Sequence, residues 1–129
     1  MSGRVVHFEI PYDDGDRARG FYKAAFDWEI VQMPEMGGYT LVMTGPSGEQ
    51  GPTEAGFING GMLPREQAAT RGPVLVVDVD SIEESLSRIG QLGGSTVVGK
   101  TPVGDMGFAA YFTDPEGNVM GLWETAKAG

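Results

Sequence analysis

A chain of 129 residues with no cysteine excludes disulfide stapling and thiol catalysis, and is long enough for one domain or two half-domains sharing a core. Its formal charge of −9 and pI near 4.4 repel phosphate backbones, so no nucleic-acid partner is expected. No apolar run reaches the length of a membrane span and no basic-then-apolar leader opens the chain, so no membrane partner is expected and the expected location is cytoplasmic.

In chain order, Val5 to Ile10 alternates with period 2, which places His7 and Glu9 on one face of a strand and Val6, Phe8 and Ile10 on the other. Asp13, Asp14 and Asp16 are helix-starting carboxylates. Ala18, Phe21, Tyr22, Ala25 and Phe26 follow as the apolar stripe of an amphipathic helix. Gly20 interrupts that helix at a cost of about 1 kcal/mol relative to alanine, which points to close packing there. Trp28 to Met33 is a second strand, Pro34 to Gly38 a turn, Tyr39 to Met43 a third strand, Gly45 to Glu54 a loop, and Phe57 to Met62 a fourth strand.

Residues 63–73 form the candidate linker, after which the pattern restarts. Val74 to Val79 is a strand. Asp80 and Glu83 read as a capping box, and Ile82, Leu86 and Ile89 as the helix stripe ended by Gly93-Gly94. Ser95 to Val98 is the next strand. Gly99 to Gly107 is a loop whose Met106, with Phe108 beside it, could fold over a pocket. Phe108 to Phe112 and Val119 to Trp123 flank Asp114-Pro115-Glu116-Gly117-Asn118, whose turn chemistry makes the two runs a hairpin. The two modules, 5–62 and 74–124, align at an offset of 67, with Phe8-Glu9-Ile10 falling on Leu75-Val76-Val77.

The Asp-Pro-x-Gly-Asn turn with its short apolar strand resembles the C-terminal signature of the vicinal oxygen chelate superfamily, which includes glyoxalase I, bleomycin-resistance proteins and extradiol dioxygenases. Asp16-Arg17-Ala18, Phe21-Tyr22 and Phe26-Asp27-Trp28 look like that family's first-helix motif. The resemblance covers roughly Val5 to Glu124. It implies an α+β fold of two βαβββ modules with sheets curled into an open cup, a glyoxalase/bleomycin-resistance-like fold usually completed by homodimerisation.

The family holds a divalent metal with four ligands, drawn from the first and last strands of each module. Carried over, the first-strand positions are His7 and Val74, and the last strand of module two gives Gly121. The module-one counterpart lies within Phe57 to Gly61, where Asn59 is the one side chain able to donate. A single strong donor does not hold a metal, so no cofactor is expected. The alternative is a divergent metal site built from His7, Glu9 and Asp78. His7, with Glu9, is otherwise the candidate catalytic group, as a general base or hydrogen-bonding residue. Tyr39 (or Thr40), Asn59, Val76, Asp78, Val119, Gly121 and Trp123 are candidate substrate-binding positions.

Three functions are consistent with these residues. The first is a protein that binds a small organic molecule, as a metal-independent enzyme or as a binder. The second is a metal-dependent lyase, isomerase or dioxygenase, and the third a drug-sequestering resistance protein.

Overall fold

The computed structural model describes residues 3–33 and 39–127; the turn expected over 34–38 lies outside them. The chain forms two compact units, one spanning His7–Pro73, the other running from Val74 through the C-terminal strand and taking in residues 3–6. Module one contains β1 (Val5–Tyr12), α1 (Gly15–Phe26), β2 (Glu29–Met33) and β3 (Tyr39–Met43). It continues through a two-residue ladder of β4 (Ser47–Gly48) with β5 (Gly51–Pro52) into β6 (Asn59–Pro64). Its strands lie in the order β2-β3-β6-β1, with β6 antiparallel to β3 and parallel to β1.

Module two contains β7 (Val74–Asp78), α2 (Ile82–Gln91), β8 (Ser95–Val103), β9 (Gly107–Thr113) and β10 (Val119–Thr125). Its order is β7-β10-β9-β8, again with the last strand parallel to the first and antiparallel to its hairpin partner. The restart read at residue 74 is therefore a true βαβββ repeat. Several boundaries move. The fourth strand begins at Asn59 rather than Phe57, whose ring packs against Gly45. That strand continues through Leu63 and Pro64 into the expected linker, which then forms a 3-10 turn at Arg65–Gln67. Arg65 is tied to Asp13 at 2.9 Å and donates to the Arg71 carbonyl.

The two helices differ in how they meet their sheets. In α1, Asp14 is the N-cap, its carboxylate accepting from Arg17 N at 3.1 Å. The predicted stripe is not buried: Phe21 and Phe26 are 61% and 59% exposed. The aromatics pack on one another instead, Tyr22 stacking on Trp28 at 5.2 Å and Phe26 tilting against it at 5.3 Å. Gly20 is not a point of close packing either, since nothing lies within 4 Å of where its Cβ would be.

In α2 the N-cap is Ser81, not Asp80. Ser81 Oγ accepts from Glu84 N at 3.2 Å, so the cap is displaced by one residue along the chain. The next free amide, Ile82 N, donates to Glu124 Oε1 on β10 at 2.8 Å. Helix and sheet are thus joined by a buried carboxylate as well as by apolar packing. Ile82, Ala110 and Leu122 form the buried core, against which Val77, Leu86, Ile89, Phe108 and Phe112 pack.

Phe108 is therefore a core residue and not part of a lid. The expected 99–107 loop is mostly strand, β8 running with irregular register to Val103 and leaving a short turn that carries Met106. The hairpin turn is as expected. Asp114 accepts from Glu116 N, Asn118 N and Asn118 Nδ2 at 2.8, 2.9 and 3.0 Å, while Gly117 supplies a φ of 85°.

The Ile82 amide, followed by Lys100 at 3.2 Å, holds the Glu124 carboxyl below its ordinary value. That contribution to stability is present above the unfolded pKa and is lost as pH falls through the folded one. Glu124→Ala leaves a buried N–H without its acceptor and is expected to lower stability by about 1–3 kcal/mol. Glu124→Gln keeps an acceptor oxygen and should recover most of the loss, as measured by urea unfolding at pH 7.

Candidate functional site

The registers place the candidate residues. In module one His7 pairs with Asn59 and Glu9 with Gly61 across β1 and β6, and Gly61 pairs with Leu41 on β3. Pleating therefore puts His7, Glu9, Asn59, Gly61, Leu41 and Tyr39 on one face. Thr40, the alternative to Tyr39, is on the other face and fully buried. In module two Val76 pairs with Gly121 and Asp78 with Trp123. Because Glu9 and Val76 are 67 residues apart, Gly61 is the module-one counterpart of Gly121. The position left open within 57–61 is thus Gly61.

The space beside Gly61 is filled. A Cβ there would run into the Tyr39 phenol oxygen and ring. That oxygen is 2.9 Å from His7 Nε2. On the opposite face a Cβ at Gly60 would strike the Phe8 ring, and Phe8 in turn leans on Trp28 at 6.1 Å. The Gly60-Gly61 pair thus lets two aromatic rings lie directly on the strand, one on each side. Asn59, though on the His7 face, is committed to local structure: Oδ1 accepts from Thr44 N at 3.0 Å and Nδ2 donates to Ser47 Oγ at 2.8 Å.

Burial lowers the His7 pKa to about 4 by disfavouring the charged imidazolium. At neutral pH the imidazole is uncharged and a weak base, suited to hydrogen bonding with Tyr39 more than to removing a proton from carbon. The folded chain binds fewer protons here than the unfolded chain. This residue therefore costs stability as pH falls from about 6.5 toward about 4.

Module two offers no donor at the matching positions. Val74 and Val76 are buried, and a Cβ on Gly121 would meet Val76 Cγ2 at 3.0 Å, Tyr111 Cε1 at 3.5 Å and Val74 Cγ1 at 3.6 Å. Val119 pairs with Thr113 at the hairpin end. The Trp123 indole lies over Gly107, with Nε1 donating to Thr125 Oγ1 at 3.1 Å. Asp78 is joined through its backbone to Gly3 and Arg4.

Among the described residues, no three His, Asp or Glu side chains gather in a way that could hold an ion. The family's four ligand positions read His7, Gly61, Val74 and Gly121, and these residues do not fit the metal. His7 and Tyr39 are each recognisable as candidates in the sequence, but their contact is not. The paired glycines of β6, read beside aromatic-bearing neighbouring strands, were the available signal.

Two βαβββ modules of one topology, with a histidine on the first strand and the Asp-Pro-Glu-Gly-Asn hairpin before the last, define a glyoxalase/bleomycin-resistance-like fold. Residues 4–45 match the family model described as Bleomycin resistance protein-like N-terminal. The chain is 25% identical over 126 residues to the "Putative glyoxylase CFP32" of Mycobacterium tuberculosis and of Mycobacterium bovis, covering 92% of this chain and 44% of each relative. It therefore spans less than half the length of those relatives.

Among solved structures, a hypothetical protein from Bacillus halodurans superposes with a TM-score of 0.66 at 14% identity, covering 100% of this chain and 99% of the other. Methylmalonyl-CoA epimerase from Mycobacterium tuberculosis gives 0.62 at 19% identity, covering 95% and 87%. At these identities the likeness is one of fold. Together the findings indicate the vicinal oxygen chelate (glyoxalase/bleomycin-resistance) superfamily.

If Tyr39 and a side chain at position 61 compete for one space, Gly61→Ala should cost about 1–3 kcal/mol by overpacking. In a Tyr39→Ala background the same change should cost clearly less. A double-mutant cycle by denaturant unfolding checks this, with a coupling above about 0.5 kcal/mol expected and strict additivity contradicting it.

Proposed function

We propose that this glyoxalase/bleomycin-resistance-like chain binds a small organic molecule on the His7–Tyr39 face without a metal centre. One observation carries the reading: Tyr39 occupies the space a ligand side chain at Gly61 would need, and its hydroxyl engages the single matching donor, His7. A hydrogen-bonded phenol and a neutral imidazole give the face polar groups that orient a ligand, and Leu41 and the aromatic ring supply apolar surface. This is the usual make-up of a small-molecule site.

With a pKa of about 4, His7 suits recognition better than proton abstraction, which favours a binder over a metal-independent enzyme. Sequestration of a drug is the second reading, favoured by the bleomycin-resistance-like match over residues 4–45 and by an acidic chain that attracts cations. A cytoplasmic homodimer, without nucleic-acid or membrane partners, completes the proposal. No described helix is long and apolar enough to cross a membrane.

Two measurements test it. Protein purified without chelator should contain far less than one divalent ion per chain. A thermal-shift screen of metabolites and cationic drugs should find a ligand that raises Tm. For that ligand Tyr39→Phe is expected to weaken affinity roughly fivefold, the equivalent of about 1 kcal/mol for one hydrogen bond. A stoichiometric metal ion lost on His7→Ala would contradict the proposal, and so would turnover abolished by His7→Ala at unchanged affinity.

A further inference from the structure

The opposite side of the module-one sheet carries a second feature. Between α1 and β2 runs a groove of about 200 Å³ lined by Arg19, Gly20, Lys23, Ile30 and Gln32. In a chain of net charge −9, two cations one helical turn apart on the wall of a groove are a local reversal of sign. Arg19 is held in position, its Nη2 2.7 Å from Asp16 Oδ1 and its guanidinium 6.0 Å from the centre of the Tyr12 ring. Lys23 has no ion pair, and the Gln32 amide no hydrogen bond, among the described residues.

Gly20 gives an independent reason to regard the groove as kept open. It sits in mid-helix with an ordinary φ, and nothing approaches within 4 Å of where a Cβ would stand. Neither backbone nor packing requires glycine, and glycine costs a helix about 1 kcal/mol relative to alanine. What the missing side chain does is leave the groove clear. Thr40 does not line the groove, but it pairs across the strands with Gln32 and so shares its face. Thr40 is fully buried, and its hydroxyl has no hydrogen-bond partner among the described residues. Buried polar groups are otherwise nearly always satisfied.

We propose that the α1–β2 groove binds a small oxyanion, a phosphate or carboxylate group carried by a small molecule. Arg19 and Lys23 supply the charge, the Gln32 amide a neutral donor, and Ile30 an apolar wall. The site is separate from the His7–Tyr39 face and does not depend on what binds there.

The test is an amide NMR titration of the full chain with inorganic phosphate and, separately, with propionate, at ionic strength held constant with chloride. Saturating shifts confined to residues around Arg19, Gly20, Lys23 and Gln32, with a dissociation constant on the order of 1 mM or tighter, support the site. Saturation with one anion alone assigns the headgroup. Lys23→Gln should weaken binding several-fold, and Gly20→Gln should abolish it by filling the groove while leaving the spectrum folded. Gly20→Ala should raise Tm. Absence of saturation with both anions, shifts spread over all the lysines, or affinity unchanged in Lys23→Gln and Gly20→Gln would overturn the proposal.

Discussion

The hydrogen bond between Tyr39 and His7, 2.9 Å long, passes through space that exists because position 61 has no side chain. A strand that brings a glycine opposite Glu9 lets a phenol lie on its backbone. The phenol oxygen meets the imidazole, and burial takes the imidazole out of the titrating range at neutral pH. Glycine, phenol and neutral imidazole support one another. A carboxylate at position 61 would have to displace the phenol, and a charged imidazole would face the cost of burial. Each residue taken alone is unremarkable chemistry; together they turn a position that resembles a metal ligand into half of an uncharged pair.

Module two reaches a similar end by different means. Its counterpart glycine, Gly121, is closed over by Val76, Val74 and the edge of Tyr111, so the matching face is apolar. The same topology, with the last strand parallel to the first, is present in both modules, and neither Gly61 in the one nor Val74 and Gly121 in the other carries a donor side chain. In module two, helix and sheet are joined by the Glu124 carboxylate that takes the first amide of α2 and by the core built on Ile82, Ala110 and Leu122. In module one no residue of α1 is buried, the aromatics of that helix pack mainly on one another and on Trp28, and a groove remains beside Gly20.

What was legible in the sequence follows the range of the interactions involved. Period-2 and period-3.6 patterns, the Asp114–Asn118 turn and the 67-residue offset are local or repetitive, and they yielded both βαβββ modules. The α2 cap was misplaced by one residue because Asp80 and Ser81 are both competent caps. The choice of Ser81 is fixed by Glu124, 43 residues after it in the chain. Gly20 was read as a contact because glycines in helices often are, and no local signal separates a close approach from an open groove. The contact of Tyr39 with His7 over Gly61 joins three strands, so it needed the register, which no single segment carries. Asn59 had the right chemistry for a site but spends it on Thr44 and Ser47.

The chain has one histidine, so a single imidazole can be followed directly by NMR through a pH titration, with and without zinc. The account predicts an imidazole that stays neutral and hydrogen-bonded down to a pKa well below 6.5, near 4, with resonances that do not move when zinc is added at neutral pH. An imidazole titrating at or above 6.5, or one whose ring nitrogen shifts on stoichiometric binding of zinc, would contradict it.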